Sequence, residues 1–245
     1  MQLGLFSISY GGLWGQATLE LTAFIRRAAE LGYDAVMLAG KRPHLSPLDA
    51  DDRVVASLKD ELQSARIRCT VVAAYTDLNP AAAAEVPFLE MQISYVEALA
   101  RLGSLLGAKY VRVFTAYAMP GISPHLAWQR VVGTIREICD RAASHGMTIA
   151  IQNHHDLAVH TTALLELLND IDRPNCKLGF DAWSPALRGE DLYESARVAA
   201  PHTEITTNAD YIRLPQYRYR PELVNYEAVG PDLVRAVPFG TGLID

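Results

Sequence analysis

Cysteine is scarce in this 245-residue chain: Cys69, Cys139 and Cys176 are odd in number, widely spaced and never part of a C-x-x-C pair. That excludes a disulfide framework and a cysteine-rich zinc site, and it implies a reduced, cytoplasmic setting. Positive charge is in deficit too. Lys and Arg total 22 against 28 Asp and Glu, a formal charge of -6, so no basic stripe is at hand to neutralise nucleic-acid phosphates. No long apolar run suggests a membrane span, and residues 1–6 have neither the cationic lead nor the apolar core of a signal peptide, so they read as a first strand. There is no P-loop, no G-x-G-x-x-G after a strand and no G-x-S-x-G nucleophile elbow.

What is present is ordinary globular usage, 50% hydrophobic and 20% charged, at a length suited to one large α/β domain over residues 1–245. Strand-like apolar runs at 3–9, 33–38, 68–74, 110–114, 147–151, 176–180 and 203–208 alternate with helical spacing at 18–31, 53–65, 88–106, 125–144, 162–171 and about 190–200. Thr161 is the expected N-cap of the fifth helix. Alternation of this kind predicts a parallel sheet wrapped by helices. Eight units close a (β/α)8 TIM barrel and the chain supplies seven strands, so the expected fold is that barrel with its final helix and strand missing from these 245 residues, or with the open edge covered by a partner chain. An open doubly wound sheet is the alternative. Residues 183–189 and 209–236 read as loops, the second rich in aromatic and polar side chains.

Functional side chains of a parallel sheet gather at the carboxyl ends of its strands. The run 147–151 ends in Gln152, Asn153, His154, His155 and Asp156, and the next run ends on Asp181. Gln152 and Asp181, on neighbouring strands, are candidate oxygen ligands for a divalent metal, with orientation of a substrate hydroxyl as the competing role for Gln152. His154 and His155 suit proton transfer near neutral pH or substrate contact, and His160 lies in the same loop. Arg42 and His44, after the second strand, could grip a phosphate, a carboxylate or a sugar hydroxyl. Arg112 stands inside a strand between Val111 and Val113 and must find an anion or face the helices, while Tyr75 and Asp77 end the third strand. In residues 211–221 aromatic and cationic side chains alternate, including Arg213 close after Asp210, as in a lid over a polar ligand or an interface.

At these residues the chain resembles the xylose isomerase-like TIM-barrel family of sugar-phosphate isomerases and epimerases, inosose dehydratases, hydroxypyruvate isomerases and endonuclease IV. The segments AELGYDAV (29–36), LGAKYVRV (106–113), GMTIAIQNH (146–154) and VPFGTGLID (237–245) carry the likeness in order and spacing. The resemblance implies a divalent metal, manganese, magnesium, cobalt or zinc, over which a substrate's hydroxyl and carbonyl groups are enolised. It places metal ligands at the ends of the fifth to eighth strands. Asp181 and the Asn153-His154 pair match the family pattern. Gln152 stands where a Glu is usual, Ser184 where a His follows the Asp, and Thr207 where a His precedes Asp210.

Three readings follow. The first is a sugar or sugar-phosphate isomerase or epimerase, with metal-assisted proton transfer beside a carbonyl through Gln152, His154 and Asp181 and substrate contacts from Arg42, His44, Tyr75, Arg112, His155, Asp210 and Arg213. The second is a dehydratase or lyase on a keto-sugar or keto-inositol, sharing the enolisation and then expelling a β-hydroxyl. The third is a metal-free carbohydrate-binding or subunit protein with a degenerate site. The expected partner is a small sugar-like molecule rather than nucleic acid or membrane, and the resemblance implies a homodimer or homotetramer.

Overall fold

The computed structural model describes residues 2–13, 16–79 and 85–244, so Met1 and Asp245 of the segments quoted above lie outside the described residues. Seven strands form one parallel sheet in sequence order: β1 (Gly4–Phe6), β2 (Ala35–Ala39), β3 (Arg68–Ala73), β4 (Tyr110–Val113), β5 (Thr148–Gln152), β6 (Cys176–Asp181) and β7 (Thr203–Thr207). Between them run α1 (Leu21–Glu30), α2 (Asp52–Ser64), α3 (Phe88–Leu105), α4 (Pro124–Ala143), α5 (Thr161–Ile171), α6 (Trp183–Leu187) and α7 (Leu192–Ala199). β1 and β7 are the two ends of the sheet. Among the described residues no helix is long and apolar enough to cross a membrane.

Strand alternation sorts side chains onto two faces. Val36, Leu38, Val111, Val113, Ile149, Ile151 and Leu178 join Phe24, Leu58, Leu99, Ile135 and Leu164 from the helices in the buried apolar core. Each such side chain contributes about 1.5–3 kcal/mol by leaving water. Met37, Arg112, Gln152 and Asp181 occupy alternate positions and so face the other way. In a flat sheet, strands three places apart would stand about 14 Å from one another. Yet Arg112 on β4 lies 5.7 Å from the Phe6 ring on β1, and Tyr110 on β4 donates to Glu204 on β7 at 2.8 Å. The sheet is therefore curled, with the second face inside.

Helix starts are set locally. Asp51 accepts from Val54 N, Ser123 from Leu126 N just ahead of Pro124, and Asp191 from Glu194 N. Thr161 is not the cap expected from the sequence. His160 occupies that position without a side-chain capping bond, and the orphan N–H of Thr161 is held by the Glu190 carboxylate at 3.3 Å, which only the fold brings there.

Three further segments differ from the sequence reading. The first strand stops at Phe6, and Ser7–Tyr10 wind into a 3-10 turn whose Ser7 hydroxyl accepts from Ala39 N. Residues 183–187 form the short helix α6 rather than a loop. The expected loop at 209–236 is built of β8 (Asp210–Leu214), β9 (Tyr217–Arg220), β10 (Asn225–Ala228) and β11 (Leu233–Val237). β8 pairs antiparallel with β11, and β9 with β10.

Candidate active site

The ends of β5 and β6 are laced together by side chains. Asn153 acts as an extra rung of the ladder: its Nδ2 donates to Asp181 O at 2.9 Å and its Oδ1 accepts from Asp181 N at 2.7 Å. Gln152 pairs with Gly179 in the ladder, two residues below Asp181, and its longer side chain reaches up so that Nε2 donates to Asp181 Oδ2 at 2.6 Å. The other carboxylate oxygen accepts from Trp183 N at 2.9 Å. Burial raises the Asp181 carboxyl above its ordinary value, against the pull of the Trp183 N–H, the Gln152 amide and the Arg112 charge. Two buried oxygens remain without partners in this neighbourhood, Gln152 Oε1 and Thr207 Oγ1 at the end of the strand beside β6.

Arg112, expected to meet an anion or the helices, does neither directly. It turns to the concave face, where Nη1 donates to Ala74 O at 2.9 Å and Cζ sits 3.9 Å from the Phe114 ring centre and 5.0 Å from that of Tyr75. Its Nε is buried without a partner. Burial lowers the guanidinium to about 10, which leaves it charged at neutral pH. Lys41 stands over the Tyr75 ring at 3.7 Å, and both burial and the Arg112 charge lower its amine.

After Asn153 the backbone turns sharply, with His155 at φ 66°, a left-handed conformation uncommon for residues other than glycine. This stacks the His155 ring on Tyr117 at 4.0 Å and sets His154 4.7 Å from Phe114. His154 Nδ1 accepts from His155 N at 2.8 Å, so its neutral ring carries the proton on Nε2. Desolvation by these neighbours, reinforced by cationic Arg112, keeps both rings neutral: His154 is lowered, and His155 falls to about 4.

The other expected residues have contacts of their own. Arg42 is bidentate to Asp49, with both contacts at 2.6 Å, on the exposed side of its loop. His44 packs on Phe24, meets Leu19 O at 3.3 Å and lines a cavity with Glu20, Asp49 and Arg53 in which neither Gln152 nor Asp181 takes part. Asp210 holds the backbone N–H groups of Tyr211, Gly242 and Ile244, which lower its carboxyl. Arg213 donates to Leu187 O at 3.3 Å, His160 pairs with Glu190 at 2.8 Å, and Asp77 accepts from Asn79 N and Tyr117 N. Lys41 is the residue that sequence reasoning passed over in favour of Arg42. The period-two run Ala35, Met37, Ala39, Lys41 is the signal that finds it, because Gly40 N continues the ladder to Ala73 O at 2.8 Å.

Divalent metals of the kind the resemblance implies are held by several oxygen or nitrogen donors with compensating charge. Among the described residues no group of three or more His, Cys, Asp or Glu is placed to hold an ion. Around Asp181 the remaining groups are the Gln152 amide and the Thr207 hydroxyl, and both carboxylate oxygens already accept hydrogen bonds. That donor set does not fit a divalent ion.

Comparison with known proteins agrees with this architecture. A 3-dehydroshikimate dehydratase of Bacillus anthracis is 24% identical over 236 residues, covering 93% of this chain and 79% of that protein. The crystal structure of the probable 3-DHS dehydratase AsbF of Bacillus anthracis superposes with a TM-score of 0.74 at 20% identity, covering 100% of this chain and 86% of the other. A D-allulose 3-epimerase from Methylomonas sp. in complex with D-allulose gives a TM-score of 0.68 at 20% identity, over 86% of this chain and 72% of the other. At such identities the likeness is one of fold. The family model for the xylose isomerase-like TIM barrel matches residues 25–245, and the chain belongs to that family.

Proposed function

We propose that this protein is an acid–base enzyme that moves a proton at the carbon beside a carbonyl of a polyhydroxylated substrate, as an isomerase or epimerase does. The observation that carries this reading is the buried Asp181 carboxyl, raised by desolvation and aimed by Gln152, on a strand end that also neighbours the neutral His154. A carboxylate lifted toward neutral pH takes a proton from carbon more readily than an ordinary one. His154, with its proton on Nε2, is a donor for the carbonyl oxygen as charge develops there. Arg112, the fixed positive charge nearby, favours the resulting enolate. The oxygens of Gln152 and Thr207 are acceptors for substrate hydroxyls. The donor set around Asp181 does not fit a divalent metal, and the proton is moved by the chain's own side chains.

A dehydratase is the second reading. It shares the proton abstraction and differs in the departure of a β-hydroxyl, and the resemblance to 3-dehydroshikimate dehydratase supports it. Incubation in D2O with a panel of ketoses and hydroxylated keto acids, read by NMR, tests both. Deuterium gained beside the carbonyl without loss of water marks an isomerase or epimerase, and an unsaturated product marks the dehydratase. Asp181→Asn should lower either rate at least about a hundredfold. Saturable binding with neither exchange nor dehydration would replace both with a carbohydrate-binding role.

A further inference from the structure

Two cations converge on one tyrosine at the barrel mouth. Lys41 Nζ lies 3.7 Å and Arg112 Cζ 5.0 Å from the Tyr75 ring centre, and they come from β4 and from the segment that continues β2. Each repels the other, and no carboxylate among the described residues acts on Lys41 to offset that repulsion. Asp181 acts on Arg112 through its charge, the smallest of the influences on that guanidinium, and no ion pair joins the two among the described residues. Arg112 also keeps a buried N–H, on Nε, without an acceptor. The whole chain carries a charge of -6, so this local excess of positive charge is not a reflection of composition.

Burying like charges together is unfavourable unless an anion completes the group. The geometry is also maintained by backbone fit. Gly40 lies so close to β3 that a Cβ there would stand 2.9 Å from Ala73 O and run into the Leu99 side chain. The Gly40 carbonyl accepts from the Tyr95 hydroxyl at 2.8 Å, and the same hydroxyl accepts from Tyr75 N at 3.2 Å. One tyrosine thus ties the Lys41 segment to the Tyr75 segment. We propose that Lys41 and Arg112 form an anion subsite, so that the substrate handled at Asp181 is a hydroxylated carbonyl compound bearing a carboxylate or a phosphate. The subsite selects anionic over neutral polyols and holds the charged end of the substrate. This rests on the proton-transfer reading for the word substrate, while the anion site itself stands apart from it.

Calorimetric titration of the full chain with four probes tests the subsite: quinate as a hydroxylated carboxylate, D-ribose 5-phosphate as a phosphate, and neutral myo-inositol and D-ribose. At least one anion should bind about tenfold or more tighter than its neutral counterpart, and which one does so tells carboxylate from phosphate. Lys41→Met should abolish that preference, Lys41→Arg should restore most of it, and raised salt should erode it. Because Arg112 fills the barrel interior and its removal can disturb folding, Lys41 carries the test. As a second readout, acetic anhydride labelling of Lys41, followed by mass spectrometry, should be slowed by the preferred anion and not by the neutral polyols. Equal binding of charged and neutral probes, or a preference untouched by Lys41→Met, overturns the subsite. Anion binding through Lys41 with no deuterium exchange on any compound would keep the subsite and remove the proton-transfer reading. Deuterium exchange equally fast on charged and neutral compounds, and unaffected on both by Lys41→Met, would do the reverse.

Discussion

The side-chain amide of Gln152 donates to one oxygen of Asp181 at 2.6 Å, while the amide oxygen of the same residue is buried with nothing to accept from. One end of the amide supports the carboxylate, and the other is buried without a partner. Much of the chemistry open to this site follows from that asymmetry.

Replacing Asp181 by Asn should stabilise the protein while disabling it. The folded state raises the Asp181 carboxyl, so between its ordinary and raised values the folded chain binds more protons than the unfolded one, and stability falls as pH rises through that window. An uncharged Asn escapes this loss, and Gln152 can flip to accept from the new amide. The gain at pH 7 should be on the order of 1 kcal/mol, or roughly 2–4 °C in Tm, and should vanish below about pH 4. A melting series from pH 3.5 to 8 checks it. A variant less stable than the parent at pH 7 would contradict the view that the carboxylate is held at a cost.

Gln152→Glu should place two carboxyls where an amide–carboxylate bond now stands. Like charges at hydrogen-bond distance cannot both ionise, so one proton should be retained near neutral pH and stability should fall by about 1–3 kcal/mol. Manganese should leave the melting temperature of the parent unchanged and raise that of the variant. A clear shift for the parent at micromolar manganese would overturn the reading that its donors do not fit the ion.

His155 should impose an acid limit on stability. Its folded value near 4 lies below the ordinary 6.5, so as pH falls through that interval the unfolded chain takes up the proton first and stability is lost. Discounted for the ring's partial exposure, the loss should be on the order of 1 kcal/mol by pH 5. His155→Asn tolerates the left-handed backbone and should flatten this part of the profile. Imidazole NMR resonances of His155 that titrate near 6.5 would refute the assignment.

Asp210 should act as a clasp on residues 242–244 and not as a ligand for substrate. Its carboxylate accepts from Gly242 N at 2.7 Å and Ile244 N at 3.1 Å, and a Cβ at Gly242 would collide with it. Asp210→Ala should speed amide exchange at Gly242 and Ile244 roughly tenfold while leaving β5 unaffected. Because those N–H groups hold the carboxyl below its ordinary value, the clasp is complete above the usual Asp range and weakens as pH drops through it. Exchange equally fast in parent and variant would argue against the clasp.

The parallel sheet, its helices and the pairing of Gln152 with Asp181 were legible in the sequence, because each depends on short-range pattern. Apolar runs of strand length recur between helical spacings, and the polar residue that ends such a run sits at the same end of every parallel strand. Residues 209–236 look like a loop in the sequence for the opposite reason: β9 and β10 are four residues each and almost wholly exposed, so no buried face writes an alternation into them.

Order along the chain determined which elements form, in what succession, and that Gln152 and Asp181 share a sheet end. Tertiary structure alone decided that Lys41 meets the Tyr75 ring, that Arg112 lies among rings, that Glu190 caps a helix about thirty residues upstream, and that Asp210 holds the segment ending at Ile244. These last facts depend on curvature of the sheet and on contacts between residues far apart in sequence. Local periodicity reports which face a side chain occupies, and only the curled geometry of the sheet reports what it meets there.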